Sequence, residues 1–269
     1  MMKTLNKALA ALVLSAWGAS AFAAQACDEQ TLHALGAFLK LDRFGAGAEG
    51  RILASTCKVL PNDPHTTAAA MIFHGELREV ENDDERLLVS LIDNRSFNVI
   101  AAHDERFSSG MAVDYPKYAL NVDTARYNLS DDVFVFGIDI VDNHAERRAC
   151  NWDGADGPTL TLFAYDKKKS LRPILSMPRS QWIYRTCLNN TLDQFKILVE
   201  ESRTTLAVGK AKTHGYADLL VNVSSSLSLN GEPFKRNPKR KPLRSLIRYD
   251  GQQYDIKPYE LAKEKWFNR

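Results

Sequence analysis

Apolar and polar positions alternate in short runs from about residue 69 to residue 254. Runs rich in Val, Ile, Leu and Phe are interrupted by Asn, Asp, Gly, Ser and Pro, which is typical of strands joined by turns. The runs predict strands near residues 69–73, 87–92, 98–102, 119–127, 133–141, 160–165, 171–175, 182–186, 195–199, 204–209, 217–223 and 246–254. Many short strands and few helices indicate a mainly β fold with antiparallel sheets.

One helix is predicted, ahead of the strands. Asp28 can cap it, and its apolar residues recur at helical spacing up to about residue 42, at Leu32, Leu35, Phe38, Leu39 and Leu41. The glycines of residues 45–50 then have G-x-G-x-x-G spacing, but they follow a helix rather than a strand, so we expect a flexible turn and no nucleotide cofactor. At the other end of the chain, Trp266 and Phe267 are expected to pin a C-terminal turn onto the body.

An internal repeat is visible in three hairpin-like segments. In each, a strand ends in an apolar or aromatic residue followed by an aspartate, at Asp93, Asp166 and Asp250. A more apolar strand precedes each one: AAAMIFH, VFVFGIDIV and ADLLVNV. We therefore predict one β-rich domain over 24–269, with three sub-repeats at about 60–105, 119–178 and 180–257. An inner apolar strand followed by an outer hairpin favours a propeller-like or multi-sheet repeat, and an irregular β-sandwich is the alternative.

Several segments together resemble a family of uncharacterised exported proteobacterial proteins. They are CKVLPNDP, ALNVDTARYNL, VFVFGIDI, LTLFAYDKKKSLRPILSMP, HGYADLLV and LIRYDGQQY. The resemblance covers most of the chain and implies a shared β-rich fold and export, but no catalytic residue. HGYADLLV also resembles the Asp-bearing strand of FG-GAP or VCBS propeller repeats, although the Asp- and Asn-rich calcium loop of those repeats is absent from this sequence.

The first residues have the pattern of a secretory signal peptide. Lys3 and Lys7 precede an apolar stretch over residues 8–17, and Ala-Phe-Ala at residues 21–23 is a small-x-small cleavage site. The apolar stretch is too short for a permanent membrane anchor, and no other segment is long enough. We predict a signal over 1–23 and a periplasmic or secreted protein. A second cut after Ala26 would expose Cys27 for lipid attachment.

The four cysteines are Cys27, Cys57, Cys150 and Cys187. An even number in an oxidising compartment predicts two disulfides, and three pairings are open. Pairing nearest neighbours, Cys27 with Cys57 and Cys150 with Cys187, closes loops of 30 and 37 residues. A zinc site is the rival interpretation, but no two cysteines have the close spacing of structural zinc ligands.

Charge is unevenly distributed along the chain. The net charge of +2 comes from Lys3 and Lys7 in the signal, because the other 33 basic residues balance 33 acidic ones. A basic segment, KRNPKRKPLR at residues 235–244, contains Lys235, Arg236, Lys239, Arg240, Lys241 and Arg244. The rest of the mature chain is therefore acidic, and this segment is predicted to dock on an envelope protein or an anionic surface rather than on nucleic acid. Anionic lipid headgroups, cell-wall polymers and an acidic protein are the candidate surfaces.

Metal and acid–base sites have only scattered candidates. His74 with Glu76, and His144 with Glu146, place an imidazole and a carboxylate on one face of a strand. The remaining weak metal candidates are His103, Asp153 and Asp156. No G-x-S-x-G, S-x-x-K or H-E-x-x-H motif occurs in a usable context, so no metal or other cofactor is predicted.

These observations favour a non-enzymatic periplasmic or cell-surface binding or inhibitor protein, whose disulfide-pinned β scaffold presents loops to a partner. The alternative is an envelope hydrolase, whose metal-assisted version requires the histidines to converge. A structural role is the third hypothesis.

Overall fold

The computed structural model describes residues 25–41, 44–45, 51–75, 85–106, 119–141, 155–166, 168, 170–189, 195–229, 232–233 and 240–267. Three antiparallel sheets and two helices account for most of them. Sheet 1 has the order β1 (Ile52–Leu60), β2 (Asp63–His74), β3 (Glu85–Asp93), β4 (Val99–Arg106). Sheet 2 has the order β5 (Leu120–Asp123), β6 (Val133–Ile140), β8 (Thr159–Asp166), β9 (Leu171–Pro178).

Sheet 3 is larger and takes in β7 (Ala155–Asp156). It has the order β13 (Glu232–Pro233), β12 (Tyr216–Leu229), β11 (Phe195–Thr213), β10 (Ser180–Asn189), β7, and β14 (Leu243–Ile247) pairs with β12. The helices are α1 (Glu29–Leu39) and α2 (Lys257–Phe267). The mainly β, antiparallel, multi-sheet fold predicted from the sequence is confirmed. Neither described helix is long and apolar enough to cross a membrane.

The layers stack in the order α1, sheet 1, sheet 2, sheet 3 with α2. Sheet 1 is buried on both faces: Met71 and Phe73 pack towards α1, whereas Ala70 and Ile72 pack towards sheet 2. Because alternate side chains of a strand point to opposite faces, burial on both faces requires the continuous apolar run AAAMIF. A third cluster joins sheet 2 to sheet 3 and α2.

A disulfide between Cys27 and Cys57 links the segment before α1 to β1. The backbone N–H of Cys57 also donates to the carbonyl of Gln25 at 2.7 Å. Asp28 caps α1 as predicted, since its Oδ1 accepts from the Thr31 N–H at 2.7 Å. Because lipid and disulfide would use the same Cys27 sulfur, the two are mutually exclusive. Cys150 lies outside the described residues, as does the Cys187 side chain, so their pairing stays a prediction.

Each of the three aspartates of the sequence repeat accepts two backbone N–H bonds from the turn that follows it. Asp93 Oδ1 accepts from the N–H groups of Arg95 and Ser96 at 2.9 and 2.8 Å. Asp166 Oδ1 accepts from the second and fourth following residues at 2.9 and 3.1 Å, and Asp250 Oδ1 from the second and third at 2.7 and 2.8 Å. The preceding apolar strands β2, β6 and β12 pair with the strands that lead into these turns, β3, β8 and β14. The division into sub-repeats stays a prediction.

Helix α2 corrects the expectation of a C-terminal turn and of a strand up to residue 254. The strand β14 ends at Ile247, and the chain then forms a single bridge between Tyr249 and Tyr254. Tyr259, Lys263, Trp266 and Phe267 form the buried stripe of α2. A lysine within this stripe obscured its helical period in the sequence. Its ammonium lies 5.8 Å from the ring centre of Tyr259 and 5.9 Å from that of Phe267.

Candidate binding face

The basic segment enters the described part of the chain at Arg240, which packs into the protein. Its side chain is only 17% exposed, and its Nε lies 3.3 Å from Oε1 of Glu200, a residue of β11 that is 2% exposed. Oε1 accepts no aligned hydrogen bond from the described residues, so this contact is an ion pair. The Arg240 guanidinium also lies over the Trp266 ring, 4.9 Å from its centre. Arg240, one of the predicted partner-binding residues, is therefore an internal anchor of the basic segment.

A second arginine completes the neutralisation of Glu200. Arg185 Nε donates to Glu200 Oε2 at 2.7 Å. Burying a carboxylate costs several kcal/mol unless it is paired, and here two guanidinium groups flank it. We name this group the Glu200 anchor: Glu200, Arg185, Arg240 and Trp266.

The anchor also completes the C-terminal end of α2. Arg240 Nη1 donates to the carbonyl of Trp266, and Arg185 Nη2 donates to that of Phe267 at 2.9 Å. The last carbonyls of a helix have no partner within the helix and carry partial negative charge, so two cations are favourable there. In return, Trp266 Nε1 donates to the carbonyl of Lys241 at 2.8 Å. Helix α2 and residues 240–241 of the basic segment therefore fix each other's position.

Beyond the anchor, the basic segment continues into solvent and onto sheet 3. Lys241 and Arg244 are exposed. Arg244 lies on β14 opposite Asn222 of β12. The buried Ile247 points towards sheet 2, so the opposite phase of β14, which includes Arg244, points outward. Lys235, Arg236 and Lys239 lie outside the described residues.

The outer face of sheet 3 has polar and apolar side chains next to this arginine. In one cross-strand row, Arg244 follows Thr205 and Asn222. In the next row, Leu220 and Leu246 face each other on adjacent strands and are 43% and 38% exposed. The face therefore offers cations beside exposed apolar surface.

A groove of about 660 Å³ lies on the opposite, inner side of sheet 3, between α2 and the start of β10. Its lining includes Met177, Ile183, Tyr259, Leu261 and Phe267, with charged side chains of α2 at the rim. It is separate from the outward-facing arginine of β14.

A partly buried charge network connects sheet 2 to sheet 3. Arg179, between β9 and β10, donates to both Asp123 and Asp139. Burial raises the pKa of Asp139 despite this arginine. Burial would also raise the pKa of Asp123, but hydrogen bonds from the N–H of Ala125 and the hydroxyl of Tyr127, together with the charge of Arg179, hold that pKa below its usual value. Both carboxylates lie on sheet 2, on the neighbouring strands β5 and β6. The backbone carbonyl of Arg179 accepts from the N–H of Thr204 on β11 at 2.7 Å, so this residue links the two sheets.

The two described histidine candidates do not share a site. In the backbone register of sheet 1, His74 of β2 lies opposite Glu85 of β3, and His103 of β4 lies opposite Val89 of β3. The two histidines are therefore two strands and four residues apart, about 16 Å at standard strand spacing. His103 Nε2 instead lies 3.2 Å from Oε2 of Glu105. Within the described residues, no three His, Cys, Asp or Glu side chains could hold a metal ion together. Glu76, His144, Glu146 and Asp153 lie outside those residues, as does the side chain of Asp156.

Protein-family models, curated proteins and solved structures were compared with this chain, and none matches it. The candidate site therefore rests on geometry alone. Sequence reasoning found the basic segment but missed the Glu200 anchor. A usable signal was present, because strand alternation places Glu200 in the inward phase of β11 together with Ser202 and Thr204.

Proposed function

We propose that this protein is a non-enzymatic binding or inhibitor protein of the periplasm or cell surface, which docks on an anionic partner through its basic segment. The observation that carries the proposal is that the cations of that segment differ in their contacts and exposure. Arg240 is held by Glu200 and Trp266, whereas Lys241 and Arg244 remain exposed beside it.

Anchoring of this kind favours binding. Charges on a fixed backbone lose less conformational freedom on association than charges on a free loop. The acidic remainder of the mature chain repels an anionic surface, which orients the basic segment towards it. The Cys27–Cys57 disulfide is compatible with an extracytoplasmic location.

The test is binding of the oxidised mature protein to soluble polyglutamate and to phosphatidylglycerol vesicles. We expect binding that weakens as salt rises, and a loss of at least about tenfold in affinity on the double change Lys241→Glu and Arg244→Glu. The matched control is Arg126→Glu with Lys168→Glu, which makes the same change in net charge at two exposed residues in the connections between strands of sheet 2.

Equal weakening by the two double variants would mean that only net charge matters, and would overturn the assignment to the basic segment. If the protein shows no salt-sensitive binding to polyglutamate and none to the vesicles, the proposed function itself is overturned.

A further inference from the structure

Strand β14 and the residue after it carry two cations on either side of a leucine on the outer face of sheet 3. Arg244 and Leu246 lie in the outward phase of β14, and Leu220 of β12 lies directly beside Leu246. Arg248 directly follows Ile247, the last residue of the strand. Arg248 is 66% exposed, with its Nε 3.7 Å from Oδ2 of the buried Asp218. We name these four residues, Arg244, Leu246, Arg248 and Leu220, the β14 stripe.

The stripe has both guanidinium groups and exposed leucines, and a single kind of surface can bind both. Guanidinium groups bind phosphate oxygens through paired hydrogen bonds. Exposed leucines gain free energy when they leave water for an apolar medium. An anionic bilayer offers both, because phosphate groups lie directly above the acyl boundary.

Position along the chain strengthens this assignment. The stripe begins at Arg244, the last residue of the basic segment, and the exposed Lys241 of that segment lies three residues before it. A polyanion without an apolar layer would use the arginines but not the leucines. The leucines therefore distinguish a bilayer from a soluble anionic polymer or an acidic protein.

We propose that the β14 stripe docks this protein on an anionic phospholipid surface, with Arg244 and Arg248 on the phosphates and Leu220 and Leu246 at the acyl boundary. The inference rests on the proposed function and specifies its partner. The arginines supply the long-range attraction, which salt screens, and the leucines supply a short-range contribution that salt does not remove.

The experiment is co-flotation of the oxidised mature protein with vesicles of phosphatidylglycerol and phosphatidylcholine, with phosphatidylcholine alone as the neutral reference. Leu220→Ser with Leu246→Ser should weaken vesicle binding about tenfold and leave binding to soluble polyglutamate unchanged. Arg244→Gln with Arg248→Gln should weaken both. The leucine control is Val59→Ser with Leu261→Ser, which removes two apolar side chains that are 51% and 58% exposed on β1 and α2. Thermal unfolding of each variant verifies that it is folded.

A leucine effect confined to vesicles supports the bilayer assignment. If vesicle binding is indifferent to the leucines, or weakens equally in the leucine control, the bilayer assignment is overturned. The proposed function then survives if binding to polyglutamate or to the vesicles still weakens as salt rises and on replacement of Lys241 and Arg244.

Discussion

Arg240 and Glu200 form an ion pair in which a residue of the basic segment neutralises a buried carboxylate of β11, with 3.3 Å between Nε and Oε1. The segment that carries the greatest density of positive charge is therefore attached to the body through one of its own cations. The same contact places Lys241 at the protein surface and leads the chain into β14.

Replacing Arg240 should destabilise the protein, whereas replacing Arg244 should not. Arg240→Met leaves Glu200 with one cation and removes a donor from the end of α2, so we expect a loss of about 3 kcal/mol in the free energy of unfolding. Arg244→Met changes an exposed side chain on the same segment and should stay within about 0.5 kcal/mol of the parent protein. Urea unfolding monitored by tryptophan fluorescence measures both. Equal stabilities of the two variants would contradict the anchor.

Cys27 should be recovered in a disulfide with Cys57. Digestion of the unreduced protein should give one linked peptide containing both cysteines, which separates on reduction and is visible by mass spectrometry. Changing both to serine should cost about 3 to 4 kcal/mol of stability, because the bond closes a loop with a sequence separation of 30 residues. A lipid-modified Cys27 in the same preparation would contradict this bond.

The contributions of Asp123 and Asp139 to stability should depend on pH in opposite directions, although both carboxylates are paired with Arg179. The pKa of Asp123 is lowered in the folded state, so its contribution to stability is present above its unfolded value and is lost as pH falls through the folded one. The pKa of Asp139 is raised, so its contribution is full below the unfolded value and is lost as pH rises through the folded one.

The stability cost of Asp123→Asn should therefore shrink from pH 7 towards about pH 3, whereas that of Asp139→Asn should grow over the same range. Unfolding free energies measured across this range in the parent and both variants provide the comparison. Parallel trends in the two variants would show that the carboxylates do not have different environments.

Replacing the aspartates of the three turns by asparagine should cost little stability, whereas replacing them by alanine should cost more. An asparagine side-chain oxygen can accept the same two N–H bonds, whereas alanine leaves both donors to water. At Asp166, alanine should cost about 1 kcal/mol in unfolding free energy and asparagine markedly less. Thermal unfolding of alanine and asparagine variants at Asp93, Asp166 and Asp250 should give the same order three times. An order that differs among the three turns would mean that the turns are not equivalent.

Strand positions were largely predictable because burial of both sheet faces leaves long apolar runs. The exceptions have physical causes. β11 is one strand rather than the two predicted over 195–199 and 204–209, because Glu200 and Ser202 between them are buried on the inner face and Glu200 is satisfied by two arginines. Strand alternation identifies Glu200 as inward-facing, but no local pattern identifies partners 15 and 40 residues away.

The candidate site was only partly predictable from the sequence. Clustered charge is visible in the sequence, so the basic segment could be located. The different roles of Arg240 and Arg244 depend on which cation meets Glu200 and which follows the outward phase of β14. That distinction arises only when β11, β14 and α2 come together.

The most direct test of the proposed function is the salt dependence of binding to phosphatidylglycerol vesicles. For the parent protein, binding should weaken steadily as salt concentration rises, because salt screens the attraction between cations and the anionic headgroups. Removing Lys241 and Arg244 together by alanine substitution should reduce the slope of this salt dependence, while Arg126→Ala with Lys168→Ala leaves it unchanged. The same slope in all three proteins would contradict the account.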